Sequence, residues 1–172
     1  MNSSPTVIFL TGLSGAGKTT IANALQEKLK EKEIIPVMLD GDEIRNIIQL
    51  TAFDEKSRKK HNLSVGYMAS LFEAQGNMVI VSLISPYKDI RDKIRKMCNQ
   101  FIEVYVSTGI KVCIERDPKG LYEKAIKGEI KDFTGISAPY FPPVNPEVII
   151  DTATLSVVEC TQKIFTALIN IK

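Results

Sequence analysis

The residues whose spacing carries the most chemistry are GLSGAGKT at 12–19, which satisfy G-x-x-x-x-G-K-[ST]. Such a segment grips the phosphates of a nucleoside triphosphate. Gly12, Gly15 and Gly17 let backbone N–H groups turn inward on phosphate oxygens, with Leu13, Ser14 and Ala16 supplying the peptide units between them. Lys18 reaches the β and γ phosphates and the Thr19 hydroxyl can ligate a metal, so ATP and Mg²⁺ are the expected cofactors. Thr20 either touches the α-phosphate or only starts the helix. The bland alternative is a glycine-rich turn with a solvated lysine. With glycine at roughly 7% of an average chain, a chance match is on the order of one in a hundred. The flanks weigh against it further, since an apolar run ends at the loop and a helical pattern begins beyond it.

A second group is LDGDEIR at 39–45. If the strand read over 36–39 continues, Asp40 and Asp42 lie on one face of its C-terminal edge, and Gly41 permits close backbone approach. Carboxylates there face the crevice in which open α/β sheets bind ligands. A phosphotransferase needs one to accept or orient the proton of an acceptor hydroxyl and to hold Mg²⁺ through water, so Asp40 or Asp42 is the candidate base. The alternative for Asp42 is a helix N-cap, with 43–50 helical and Arg45 as its surface ion-pair partner.

These groups need elements to hold them. TVIFLT at 6–11 is a short β-branched run, and Ile21, Leu25 and Leu29 recur at helical spacing over 19–32, which gives strand, loop, helix. Further apolar runs at 36–39, 78–83, 101–106 and 148–150 are separated by segments of helical length. The pattern predicts an α/β chain with a five-stranded parallel sheet covered by helices on both faces. Residues 115–145, rich in Lys, Gly and Pro with one amphipathic turn at 121–126, read as a lid or binding loop. A last helix at about 156–169 packs back on the sheet. No repeat or linker divides the chain, so 1–172 is read as one domain.

Composition bounds the partners. At 172 residues, 44% hydrophobic and 24% charged, the chain can bury a real core. Its 22 basic and 20 acidic residues are scattered and leave a net charge of +2, which gives no nucleic-acid or membrane footprint and leaves a small nucleotide as the expected partner. Cys98, Cys113 and Cys160 are widely spaced with no pair at metal-ligand spacing, as expected of buried thiols in a reducing compartment. The first ten residues lack a basic n-region, and no window approaches the roughly 18 apolar residues of a spanning helix. A cytoplasmic location is the expectation, with monomer and homodimer both open.

The segments GLSGAGKTT, LDGDEIR, VSLISPY (81–87), FIEVYVST (101–108), ERDPKGLYEKAIKGEIKDFTGI (115–136) and APYFPPVNPEVIIDT (138–152) together resemble the adenylylsulfate kinases, in the same order and over nearly the whole chain. ERDPKGLY followed by KDFTGI is more specific than the phosphate loop, because it separates this family from other small P-loop kinases. The resemblance implies a three-layer P-loop kinase fold with a lid, and transfer from ATP to the 3′-hydroxyl of adenylylsulfate to give 3′-phosphoadenylylsulfate. It implies Asp42 and Arg45 as acceptor-binding residues, Ile84 and Ser85 as acceptor-side contacts, and Phe53 and Phe133 as aromatics that clamp the adenine. Such stacking is worth about 1–3 kcal/mol per base; either ring could instead be core. Arg116 and Lys119 are then lid residues closing over ATP, and Lys131 an anion contact near the acceptor, with solvated lid charges as the alternative. Ser85 joins Lys18, Asp40 and Asp42 among the catalytic candidates. Some family members carry a phosphorylated serine there, but in-line transfer requires no serine nucleophile. A phosphate or acceptor contact is therefore preferred, and capping of a helix that starts near Pro86 is the alternative.

The family stretch after DGD-x-x-R reads approximately GFS-x-x-DR-x-EN-x-RR-x-G, whereas TAFDEKSRKKHNLSVG stands at 51–66. Of the polar set Arg58 survives, His61 replaces the asparagine, Leu63 and Ser64 replace the paired arginines, and the spacing from Arg45 to Phe53 is one residue short. Arg58 and His61 are candidate substrate contacts, although a lone helix histidine is more often a surface or satisfied polar residue. The changes fall on the acceptor half. A kinase of a cytidine diphosphate derivative, such as cytidine diphosphoramidate, is the alternative activity, and a non-enzymatic nucleotide switch is a weaker one for want of an N-K-x-D motif.

Overall fold

The computed structural model describes residues 4–170. The strands are β1 (Val7–Thr11), β2 (Val37–Asp40), β3 (Val79–Leu83), β4 (Phe101–Val106) and β5 (Val148–Ile150). The helices are α1 (Lys18–Lys30), α2 (Gly41–Ile47), α3 (Glu55–Ala74), α4 (Lys88–Met97), α5 (Ile110–Arg116), α6 (Leu121–Ile126) and α7 (Val157–Ile169). The strands form one all-parallel sheet in the order β2-β3-β1-β4-β5, so the first strand lies in the middle. Parallel neighbours require long crossovers, and the helical segments between the apolar runs supply them.

The period of two along β1 divides the core. Ile8 and Leu10 pack with Ile21, Leu25 and Leu29 of α1 and with Ile164 and Leu168 of α7. Val7 and Phe9 point the other way, onto Val65 and Ala69 of α3 and Ile90 and Ile94 of α4. Each such side chain contributes about 1.5–3 kcal/mol on burial, which is why the expected strands and the expected three layers are all found. Local signals set the helix ends. Ser156 and Glu159 form a capping box at α7, and the Asp54 carboxylate caps α3 through the Ser57 N–H.

Two expectations shift. The helix expected at 43–50 begins at Gly41 and ends at Ile47, because the Asp40 side chain already accepts the N–H groups of Asp42 and Glu43. Residues 1–3 and 171–172 of the single-domain reading lie outside the described residues.

The register places the site. Thr11 pairs with Leu83 on one side and Tyr105 on the other, so the chain leaves β1 and β3 side by side at the C-terminal edge of the sheet. There the connections run to opposite faces and open a crevice.

Candidate active site

The phosphate loop leaves β1 against β4. A Cβ on Gly12 would lie 2.5 Å from the Val106 carbonyl oxygen, so no larger residue fits the approach. Gly17 has φ 99 and caps α1 without a side chain, which leaves the helix N-terminus open toward the cleft. The loop is braced from behind. The Tyr122 hydroxyl donates to the Ser14 carbonyl at 3.0 Å, and the Thr152 hydroxyl to the Ala16 carbonyl at 2.8 Å. Lys18 Nζ lies 3.0 Å from the Gly12 carbonyl and 2.7 Å from that of Leu13, a geometry that arches the loop around its ammonium. Burial lowers the Lys18 ammonium from 10.5 to about 8, with the Asp42 carboxylate the largest opposing influence.

A cleft of about 810 Å³ opens at this edge, and Ser14, Gly15, Gly17, Lys18, Thr19 and Thr20 line its floor. That volume falls in the range of small-molecule sites. Gly12, Leu13 and Ala16, expected with the phosphate contacts, stand behind the lining; Ala16 is fully buried and its N–H is turned to the Leu13 carbonyl at 3.2 Å.

The two strand-end carboxylates do not share a strand face, because the chain enters α2 directly after Asp40. Asp40 Oδ1 accepts the Asp42 N–H at 2.9 Å and the Glu43 N–H at 3.3 Å, while Oδ2 accepts the Thr19 hydroxyl at 3.0 Å. Asp40, not Asp42, is thus the helix cap. Asp42 instead meets the Lys119 ammonium at 2.5 Å, which brings Lys119 to the carboxylates rather than to the triphosphate side. Arg45 is not the ion-pair partner of Asp42. It donates to the Leu50 and Ala52 carbonyls and stacks 4.6 Å from the Phe53 ring. Gly41 serves packing, for a Cβ there would stand 2.1 Å from Leu83 Cδ2.

The opposite wall comes from α3, the end of β3 and the lid. Phe53 is 51% exposed and so is not core, and Phe133 is half-buried with its ring edge-on to Tyr122 at 4.9 Å; both line the cleft. Arg58 is buried and donates to the Thr134 hydroxyl at 2.6 Å. His61 is buried, not a surface histidine, with Nε2 3.0 Å from the Gly41 carbonyl. A carbonyl can only accept, so Nε2 carries the proton and Nδ1 presents a lone pair. Burial, followed by the Arg45 cation, holds the imidazole below its ordinary 6.5. Ser85 caps no helix, since α4 starts at Lys88 with Tyr87 before it. Its φ is 41, and its buried hydroxyl has no partner.

Among the described residues, the buried side-chain polar atoms without a partner are His61 Nδ1, Asn62 Nδ2 and Ser85 Oγ, and all three residues line this cleft together with Ile84. Of the lid cations, Arg116 lines the cleft and is held by the Thr152 hydroxyl at 2.7 Å and the Thr152 carbonyl at 2.8 Å. Lys131 is exposed and outside the lining.

The family model for adenylylsulphate kinase matches residues 4–151 of this chain. The chain belongs to the adenylylsulphate kinase family. The adenylyl-sulfate kinase of Rippkaea orientalis is 48% identical over 159 residues, covering 92% of this chain and 88% of that protein. The solved APS kinase of Mycobacterium tuberculosis, in complex with AMPPNP and APS, superposes with a TM-score of 0.92 at 35% identity, over 97% of this chain and 99% of that one. A hexameric APS kinase from Thiobacillus denitrificans gives a TM-score of 0.71 at 28% identity, over 96% of this chain and 29% of that one.

As a member of the adenylylsulphate kinase family, the chain is a kinase, and its cleft holds residues that sequence reasoning missed. Asn62 follows His61 directly and falls on an unspecified position of the family stretch, so the resemblance assigns it nothing. Tyr122 and Thr152 support the phosphate loop from 108 and 136 positions away, and nothing local marks such a contact. Thr134, inside KDFTGI, was the one with a signal. No group of three or more His, Cys, Asp or Glu among the described residues could hold a metal. The Thr19 hydroxyl and Asp40 carboxylate fit Mg²⁺, which keeps several waters and takes its other ligands from phosphates. No described helix is long and apolar enough to cross a membrane.

Proposed function

We propose that this kinase transfers the γ-phosphoryl group of ATP to the 3′-hydroxyl of adenylylsulfate, giving 3′-phosphoadenylylsulfate and ADP. The observation that carries the reading is the set of buried, unpartnered atoms on His61, Asn62 and Ser85, residues that line a cleft shared with the phosphate loop and two aromatic rings. A buried polar group without a partner costs about 1–3 kcal/mol. Three in one cleft are supported as contacts for a polar ligand, and Phe53 and Phe133 suit the faces of its base.

Residue roles follow from which atoms are already committed. Both Asp40 oxygens are taken by α2 and Thr19, so Asp40 orients the metal side and Thr19 with Asp40 would hold Mg²⁺. When bound, Mg²⁺ neutralises charge on the β and γ oxygens. Asp42 is the base. Its carboxylate accepts the proton of the 3′-hydroxyl as that oxygen bonds to the γ-phosphorus, while the bond from phosphorus to the β–γ bridging oxygen breaks and ADP leaves. Lys18 and the loop N–H groups stabilise the charge that accumulates on the phosphates. Thr20 and Arg116 complete the triphosphate contacts, Lys119 pairs with the Asp42 carboxylate, and Arg45, Arg58 and Ile84 stand on the acceptor side. Lys131 can take part only if the lid moves. A homodimer is compatible with this reaction.

The test is ADP release coupled to a spectrophotometric readout, over adenylylsulfate, cytidine diphosphate derivatives and simple nucleosides. Adenylylsulfate gives the highest kcat/KM if the reading holds, and Lys18→Ala lowers turnover by orders of magnitude. A cytidine compound with a much higher kcat/KM would reject the substrate while leaving the ATP half intact, and full turnover in Lys18→Ala would reject the phosphate-loop assignment.

A further inference from the structure

The acceptor loop is held by a group that does not line the cleft. Arg91 of α4 is 2% exposed, and its guanidinium spends three donors on three different segments. Nε donates to Glu103 Oε1 of β4 at 2.9 Å, Nη1 to the Ser85 carbonyl at 2.6 Å, and Nη2 to the Phe141 carbonyl at 2.7 Å. Phe141 closes the circuit by donating its N–H to the Pro86 carbonyl at 2.9 Å. Next to it, the Tyr140 hydroxyl lies 3.0 Å from Thr11 Oγ1, which donates to the Ile84 carbonyl at 2.7 Å. The returning end of the lid is therefore tied to the loop that carries Ser85, and the planar fork of one arginine makes two of the ties.

Ser85 sits at φ 41, a left-handed conformation that a non-glycine residue keeps only when its surroundings enforce it. Its carbonyl is fixed by Arg91 while its buried hydroxyl, beside the cleft that the residue lines, remains unpartnered. We propose that Arg91 is a positioning residue: it holds Ser85 with its hydroxyl toward the acceptor and couples that orientation to the anchor of the lid at Phe141. A lysine cannot replace it, because one ammonium cannot reach three planar acceptors with the geometry of a guanidinium. The catalytic consequence rests on the acceptor reading of the Ser85 loop; the coupling itself does not.

The test compares wild type, Arg91→Lys, Ser85→Ala and the double variant, with Arg91→Met/Glu103→Gln as a second form that leaves no unpaired buried carboxylate. The expected result is an acceptor KM raised about tenfold, as for loss of one charge-assisted hydrogen bond, an unchanged ATP KM, and no further loss when Ser85→Ala is added to Arg91→Lys. Equal losses in both KM values, or losses that multiply in the double variant, would show a merely structural arginine and overturn the proposal. Amide exchange without any nucleotide supplies the readout that survives a wrong substrate. In Arg91→Lys, exchange at 84–87 and at 139–142 rises together at an unchanged global unfolding midpoint. A rise in one segment alone, or in neither, rejects the coupling. Absence of adenylylsulfate turnover in the wild type rejects the functional reading instead.

Discussion

Proton positions at single residues set the behaviour of this cleft. His61 donates through Nε2 to a carbonyl and leaves Nδ1 a buried acceptor without a partner in its neutral form. Its affinity for a proton is depressed, first by burial and then by the Arg45 cation. A depressed folded value means that the unfolded chain binds the proton more readily. The stability contributed by neutral His61 is complete above 6.5, its ordinary value, and is lost as the pH falls through the lower folded value. The chain has a single histidine, which makes the assignment clean. We predict that the urea midpoint of the wild type declines as the pH is lowered from neutrality through this window, and that His61→Asn flattens the decline. An unchanged slope in the variant would show that the proton taken up belongs to other groups.

At the scale of elements, two contacts decide how the walls are held. Gly66 of α3 faces Ile94 of α4 so closely that an added Cβ would lie 2.5 Å from Ile94 Cγ1. Overpacking of this kind costs about 1–3 kcal/mol, so Gly66→Ala lowers the urea midpoint, and it lowers it less in an Ile94→Ala background, where the clashing γ carbons are gone. An equal loss in both backgrounds would move the cost to the helix itself. The lid is less free than its composition suggests. Tyr122 and Ala125 of α6 are buried, Arg116 is pinned to Thr152, and the Phe141 end is tied to Pro86 in the loop after β3 and to Arg91 of α4, while 127–132 is largely exposed. Amide exchange should therefore be slow at Tyr122 with or without ligand, and should slow at 127–132 when ADP and acceptor are added. Equal protection at 127–132 in both states would contradict a closing lid.

At the scale of the whole molecule, both hydrophobic clusters rest on one sheet, and β1 contributes alternate residues to each. Loss of that strand would dissolve both layers, which supports one cooperative unit. Heating is predicted to give a single transition by circular dichroism and calorimetry. A nucleotide at 100 times its Kd stabilises the folded state by about 2.7 kcal/mol, which for a chain of this size raises Tm by roughly 5–10 °C. Two resolved transitions would divide the chain, and an unshifted Tm with Mg-ADP would count against the nucleotide site.

Features that depend on near neighbours in the chain are legible without the fold. Strand–loop–helix around Lys18, the five apolar runs and the final helix follow from periodicity and glycine spacing, because such signals act within a few residues and burial enforces them. The phosphate loop was legible for the same reason, and so was the family, from motifs that stay contiguous in the chain. Tertiary structure decided what depends on distance. Strand order put β1 in the middle and brought Thr11 beside Leu83, 72 positions away, which no local pattern encodes. The capping of α2 by Asp40 ended the strand early and split the roles of the two carboxylates. Lys119 went to Asp42, Lys131 stayed outside, and Asn62 entered the cleft, since a charged or polar side chain meets whichever partner the packed elements bring within reach. Periodicity specifies which face a residue occupies; only the assembled sheet and its crossovers specify what stands opposite.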